Sequence, residues 1–194
     1  MSDTSLFLLI NGWAGKVRFF DELFKGISND YFAILCACLT LIWLWFSIRD
    51  KILREKCQKA VLTAAMSIGF AGAAVDICNI FYTRPRPFLV LPAGSVHLLY
   101  YPPTDSSFPS NFAAIMFASV IPIILVNRKW GLWLLVLALV TGFGRVFLGI
   151  HYPLDIIGGA AIGVFTGFFA LGVGWVINPL MDYILFLLRK VSMA

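Results

Sequence analysis

Five stretches of the chain are apolar for close to the roughly 20 residues a helix needs to cross a bilayer: 31–48, 60–82, 111–126, 130–149 and 156–177. The third reaches that length only if Ser110 and its neighbours enter the headgroup region. Residues 5–28 alternate apolar and charged positions too often to span. They predict one or two helices lying in the interface, with Leu6, Leu9 and Ile10, then Phe19, Phe20, Leu23, Phe24 and Ile27 as the apolar faces. The tail 179–194, opening on Pro179 and closing on Arg189 and Lys190, predicts either another interfacial helix or an extension of the fifth span past a kink. The segment 83–109 carries Pro85, Pro87, Pro92, Pro102, Pro103 and Pro109, which block regular helix. It is long for a connection without structure of its own, and such connections are usually functional or disordered. The expected architecture is all-α: one membrane-embedded domain over 1–194, an integral membrane bundle of five, or six, transmembrane helices with N-terminal interfacial helices.

Composition supports this picture. The 194 residues are 60% hydrophobic and only 13% charged, against about 25% charged in soluble domains. So few charges cannot cover a globular surface, and lipid has to be part of the solvent. No basic n-region with a small-residue cleavage site opens the chain, so the spans themselves are expected to drive insertion. Cys36, Cys38, Cys57 and Cys78 show no metal-like spacing, and three lie in apolar stretches, which argues against a disulfide framework. The net charge of +5 comes from basic residues beside the spans, the pattern of cytoplasmic loops, so nucleic acid is not an expected partner.

Those basic residues set an orientation. Arg49, Lys51, Arg54, Lys56 and Lys59 follow the first span, Arg128 and Lys129 the third, and Arg189 and Lys190 the last. Five spans put all three groups on one, cytoplasmic, side. The segments 83–109 and 150–155 then share the opposite side, together with the N-terminus, whose Lys16, Arg18 and Lys25 run against the rule. Three separate segments thereby deliver Arg84 and Arg86, Ser110 and Asn111, Arg145, and His151 and Asp155 to one level of the membrane.

These residue types suit phosphate. Arginine offers a rigid fork of donors matching phosphate oxygens. Pro109 before Ser110 marks a helix start, where free N–H groups and the helix dipole attract anions. His151 and Asp155 share a helix face if that segment opens the fifth span. A carboxylate beside an imidazole fixes its tautomer, which makes His151 a candidate nucleophile or base. Taken singly, the two early arginines serve equally well as headgroup anchors, His151 as a satisfied interfacial histidine, and Ser110 and Asp155 as helix caps. Arg145, near the end of an apolar span, is harder to explain without a function. Asp76, inside the second span, reads either as a functional intramembrane acid or, the favoured expectation, as a partner for an arginine, and His97 is expected to be an ordinary loop residue.

The order Arg86-Pro87, then Phe108-Pro109-Ser110-Asn111, then Arg145, His151 and Asp155 with five and three residues between them, resembles the signature of the type 2 phosphatidic acid phosphatase (PAP2) superfamily, K-x6-R-P, P-S-G-H and S-R-x5-H-x3-D. The opening Leu6-Phe7-Leu8-Leu9-Ile10-Asn11-Gly12 and the run Asp105-Ser106-Ser107-Phe108-Pro109-Ser110 are similar to its small bacterial undecaprenyl-diphosphatase branch. The resemblance implies a membrane lipid phosphatase acting without metal or other cofactor. His151 attacks phosphorus to form a phosphohistidine and Asp155 orients it. Arg86, Arg145, Ser110 and Asn111 bind phosphoryl oxygens. It further implies a multi-pass protein of the inner (plasma) membrane, with its site on the extracytoplasmic face and a lipid phosphate or diphosphate as partner.

Three positions depart from the signature. Asn79 stands in place of the lysine, where Arg84 can supply a similar charge to the phosphate, and Gly144 in place of the serine. Phe112 occupies the position of the family histidine that protonates the leaving group, a role worth about 10²–10⁴-fold. Phenylalanine donates no proton. The chain is therefore expected to be slow on lipid monoesters such as phosphatidylglycerophosphate. Diphosphates are better suited to it, because their leaving phosphate, with a second pKa of about 6, departs without full protonation. The competing expectations are a phosphatase of phosphatidylglycerophosphate or another lipid monoester, and a non-catalytic lipid-phosphate binder or transporter; retention of both His151 and Asp155 speaks against the second.

Overall fold

Capping side chains such as Asp50, Ser110 and Asn127 set several of the helix starts, and the described residues, 2–190 of a computed structural model, contain helices and connecting segments only. In chain order these are α1 (Asp3–Asn11), α2 (Arg18–Ile27), α3 (Phe32–Phe46), α4 (Lys51–Phe81), the single-turn α5 (Pro87–Val90), α6 (Asn111–Val126), α7 (Arg128–Phe147), α8 (Pro153–Val176) and α9 (Asn178–Lys190). The five apolar stretches correspond to α3, α4, α6, α7 and α8. The predicted interfacial region holds α1 and α2. The predicted tail is the separate helix α9, while its residues 191–194 lie outside the described part.

Three boundaries differ from the pattern of apolar residues, each for a local reason. α4 starts nine residues earlier than its apolar run, because Asp50 caps it by accepting from the Leu53 N–H at 2.7 Å and the helix continues through charged turns. Lys51, Arg54, Lys56 and Lys59 are therefore helical, not loop. Between α6 and α7 no loop remains: Asn127 ends one helix and caps the next, accepting from the Trp130 N–H at 3.4 Å. α8 starts at Pro153, where proline is pre-set for a helix start, so His151 precedes the helix instead of sharing its face with Asp155.

α4, α7 and α8 are each long and apolar enough to cross a membrane. α3 alone is short, but α2 and α3 meet at a 50° bend and together reach that length. α6 is a shorter apolar helix at the centre, packed against α4, α7 and α8. Large apolar side chains such as Phe81, Phe165 and Trp175 point outward, 83%, 70% and 83% exposed, the surface expected where lipid is the solvent. The four cysteines are free thiols.

Small residues set the closest approach. A Cβ at Gly159 would lie 2.3 Å from the Ser110 carbonyl oxygen, and one at Gly163 2.4 Å from that of Ala114. The four-residue spacing puts both on one face of α8, letting the backbones of α6 and α8 touch. That contact also fixes the site, because the Ser110 N–H donates to the Asp155 carbonyl at 3.0 Å. Gly159→Ala is therefore expected to destabilise the protein by about 1–3 kcal/mol, the usual cost of overpacking. Gly172→Ala, with open space around its Cβ, is expected to stabilise it by up to about 1 kcal/mol through helix propensity. Thermal unfolding of the two variants in detergent checks the contrast; equal melting temperatures would mean the close approach is not sterically set.

At the basic end α9 folds back onto α4, with Lys59 to Asp182 at 2.5 Å and Arg189 to Glu55 at 3.1 Å. At the other end α1 docks across α7 and α8. Its buried Asn11 donates to the carbonyls of Phe147 and His97 at 2.8 and 2.9 Å and accepts from the His97 N–H at 2.8 Å. Phe7 packs on Tyr152 with ring centroids 5.4 Å apart. His97 is thus tied down by its backbone.

Candidate active site

The last turns of α4 and α7 and the first turns of α6 and α8 meet at the end of the bundle opposite the basic residues of α4 and the α6–α7 junction. The residues predicted from three distant segments do converge there, around a cavity of about 220 Å³. Arg86, Asn111, Phe112, Arg145 and His151 line it, joined by Asp30, Tyr101 and Asp105.

His151 is 3% exposed. Its Nδ1 faces acceptors only: it donates to the Ser107 carbonyl at 3.0 Å and lies 3.7 Å from Asp155 Oδ2. A carbonyl cannot donate, so Nδ1 carries the proton and Nε2 keeps its lone pair. Nε2 faces Arg86, whose Nη1 donates to it at 3.3 Å. Burial lowers the His151 pKa; Asp155 opposes that shift, and the positive charges of Arg86 and Arg145 add to it. The ring is thereby held neutral with its lone pair toward the cavity.

Asp155 is fully buried and richly bonded. It accepts from the Ser107 hydroxyl at 2.5 Å, the Tyr152 N–H at 2.8 Å and Arg84 Nη1 at 2.8 Å. The Tyr152 contact makes Asp155 part of the helix cap as well as the histidine's neighbour.

The arginines divide into two kinds. Arg86 and Arg145, 3% and 4% exposed, stand on the cavity wall. Arg86 donates to Asp105 Oδ1 at 2.8 Å and to the carbonyls of Ile150 and Asp105 at 2.8 and 3.1 Å. Arg145 pairs with Asp30 at 2.5 Å and stacks on the Phe112 ring, 3.9 Å from its centroid, and among the described residues its Nε has no partner. Arg84 differs: it stands behind the wall, stacked on Tyr152 at 3.9 Å and held by Asp155 and Asp3 at 2.8 and 2.7 Å. Burial depresses its pKa, but Asp3 and Asp155 outweigh that and raise it. Both of its arms are spent on carboxylates, so it supports Asp155 instead of reaching the cavity.

Ser110 is fully buried and caps α6, its hydroxyl accepting from the Ala113 N–H at 3.4 Å. Asn111, at the first position of that helix, faces the cavity. At Gly144 the Ser28 hydroxyl occupies the space a side chain would need, 2.0 Å from an added Cβ. Asp76 lies on an exposed face of α4, and among the described residues no arginine pairs with it.

Reasoning from sequence missed Asp30, Tyr101, Asp105 and Ser107. Asp105 and Ser107 lie in the run before Pro109, which served only to mark the branch. Asp30 carried one weak signal, an acid immediately before an apolar stretch; its partner Arg145 is 115 residues away.

Residues 60–178 match the family model described as PAP2 superfamily. The chain belongs to the PAP2 superfamily. Its PAP2 relatives include "Undecaprenyl-diphosphatase BcrC" of Bacillus subtilis, 29% identical over 92% of this chain and 88% of that one. An "Undecaprenyl-diphosphatase" of Sulfolobus acidocaldarius is 26% identical over 87% and 85%, and "Bacitracin transport permease protein BcrC" of Bacillus licheniformis is 30% identical over 84% and 76%. Among solved structures, Aquifex aeolicus LpxE superposes with a TM-score of 0.68 at 26% identity, covering 87% of this chain and 94% of that one. The PAP2 type phosphatidylglycerolphosphate phosphatase of Bacillus subtilis, at 20% identity and a TM-score of 0.58 over 90% and 87%, shares the fold. PAP2 membership makes this chain a phosphatase of the membrane. On the cavity wall Phe112 offers Arg145 an apolar ring and no exchangeable proton.

Proposed function

We propose that the 194 residues act as one lipid-diphosphate phosphatase domain that cleaves undecaprenyl diphosphate to undecaprenyl phosphate and inorganic phosphate. The observation that carries this reading is the buried His151, with its proton fixed on Nδ1 by Ser107 and its Nε2 turned to an arginine-lined cavity. Nε2 attacks the terminal phosphorus while the bond to the bridging oxygen breaks. The positive charge gained by the ring is balanced by Asp155. Arg86 and Arg145 bind the phosphoryl oxygens, displacing Asp105 and Asp30, and Asn111 contributes from the helix start. Arg84 and Ser110 act from behind: one holds Asp155, the other the start of α6. The names of the relatives support the substrate class. The basic residues at the far end of the bundle support a site on the extracytoplasmic face of the plasma membrane.

Phe112 weakens this enzyme in proportion to its leaving group's need for a proton. The chain in detergent, with chelator present, is expected to release phosphate from undecaprenyl diphosphate on the order of 10²-fold faster than from phosphatidylglycerophosphate, the low end of a general acid's usual contribution. Equal rates would favour the lipid-monoester reading. Lipid binding without any phosphate release would favour a binder or transporter, the reading to which Phe112 itself lends support.

A further inference from the structure

Hydrolysis of a phosphohistidine needs a group to take a proton from water, and Phe112 cannot supply it. A carboxylate stands beside that position. Asp30 lies in the break between α2 and α3, fixed there because the neighbouring Asn29 side chain accepts from the Tyr31 and Phe32 N–H groups at 2.9 and 2.7 Å. It lines the same cavity as His151. One guanidinium, that of Arg145, touches both the Phe112 ring and the Asp30 carboxylate.

Three groups from two elements face Asp30. Arg145 of α7 pairs with Oδ1 at 2.5 Å. From the segment before α6, the Tyr101 hydroxyl donates to Oδ2, and Tyr100 donates to it at 3.3 Å while accepting from the Asp30 N–H at 3.2 Å. These contacts hold the group as a carboxylate. Its side chain is 34% exposed, so water reaches it more readily than it reaches His151, which is 3% exposed. Asp105, the other wall carboxylate, is bound to Arg86, which also contacts His151. Asp105 therefore belongs to the nucleophile's side, and Asp30 to the side where the family places its proton-handling residue.

We infer that Asp30 is the general base that activates water for hydrolysis of the phosphohistidine, an inference that rests on the mechanism proposed above. Once the phosphoryl group on Nε2 engages Arg145, the Asp30 carboxylate is released from its ion pair. A water between carboxylate and phosphorus gives its proton to Asp30. The water oxygen bonds to phosphorus, the P–Nε2 bond breaks, and its electron pair returns to the ring. Inorganic phosphate leaves, Asp30 gives its proton to bulk water, and the pair with Arg145 re-forms.

The test follows undecaprenyl diphosphate, labelled in its terminal phosphate, with the whole chain in detergent. Asp30→Asn is expected to slow steady-state phosphate release about 10²-fold, the usual scale of base catalysis. It should still release undecaprenyl phosphate in a burst near one equivalent per chain, leaving an acid-labile phosphoryl group on His151. Asp30→Ala should behave alike, with formate speeding decay of the phosphoenzyme. Loss of turnover without burst, phosphoenzyme or formate rescue overturns the inference, as does undiminished turnover. Tyr101→Phe, at a position 57% exposed, carries little risk to folding. Loss of a donor makes the carboxylate more basic, so the acidic limb of phosphoenzyme decay should move to higher pH; an unmoved limb also overturns the inference. Failure of the underlying mechanism looks different: the unsubstituted chain releases no phosphate, or His151→Ala releases it undiminished.

Discussion

His151→Ala is expected to lower phosphate release from undecaprenyl diphosphate by at least about 10⁴-fold, because among the described residues no other imidazole faces the cavity and its two carboxylates, Asp30 and Asp105, are tied to arginines, and losses of a nucleophile are of that order or larger. His97, the only other histidine, is bound to α1 through its backbone and offers no substitute. The variant should still bind the lipid, since Arg86 and Arg145 are untouched. The same ring sets a pH dependence. Attack requires the neutral form, and burial holds the His151 pKa below the ordinary 6.5. Phosphoenzyme formation is therefore expected to persist below pH 6.5 and to fail only as the pH drops through the lowered value. Rapid-quench measurement of phosphohistidine between pH 4 and 8 checks both points. A limb centred at or above 6.5 would mean that Asp155, which opposes the shift, outweighs burial and the two arginines.

Phe112→His is expected to raise the rate on phosphatidylglycerophosphate about 10²-fold by restoring a proton donor to an alkoxide leaving group. The gain on undecaprenyl diphosphate should be smaller, under about tenfold, because phosphate leaves without full protonation. The substitution has a structural cost. Arg145 lies 3.9 Å over the phenyl ring, a cation–π contact worth about 0.5–2 kcal/mol, and an imidazolium there would be repelled by the same guanidinium. The variant should therefore melt lower even as its turnover rises. Parallel assays of the two lipids, with a melting curve, decide the matter. Equal gains on both would show that Phe112 limits something other than leaving-group protonation.

The helices themselves were legible because their causes are local. Apolar runs, the prolines of 83–109 and the cap at Ser110 act within a few residues of the positions they organise. The spacing of Arg145, His151 and Asp155 was legible for the same reason, since all three sit on one short connection and its flanking turns. Even the convergence at one end of the bundle followed from counting spans. Local rules failed where charge and apolarity disagreed. Hydropathy placed Lys51 to Lys59 in a loop, but a cap at Asp50 and ordinary helix geometry carried them into α4.

The sequence by itself determined a membrane α-bundle, a phosphate-type cluster at one end, and a histidine with a carboxylate four residues on. The tertiary structure decided how the arginine forks are shared out. Arg84 and Arg86 are two residues apart and chemically identical, yet one closes on Asp155 and Asp3 behind the wall and the other opens on the cavity. It also brought Asp30 to Arg145 across 115 residues and set Phe112 beneath the same guanidinium. The physical reason is the same in each case. A long charged side chain takes whichever partner docking brings within about 3 Å, and that choice depends on the packing of α2, α6, α7 and α8 together, which no single segment encodes.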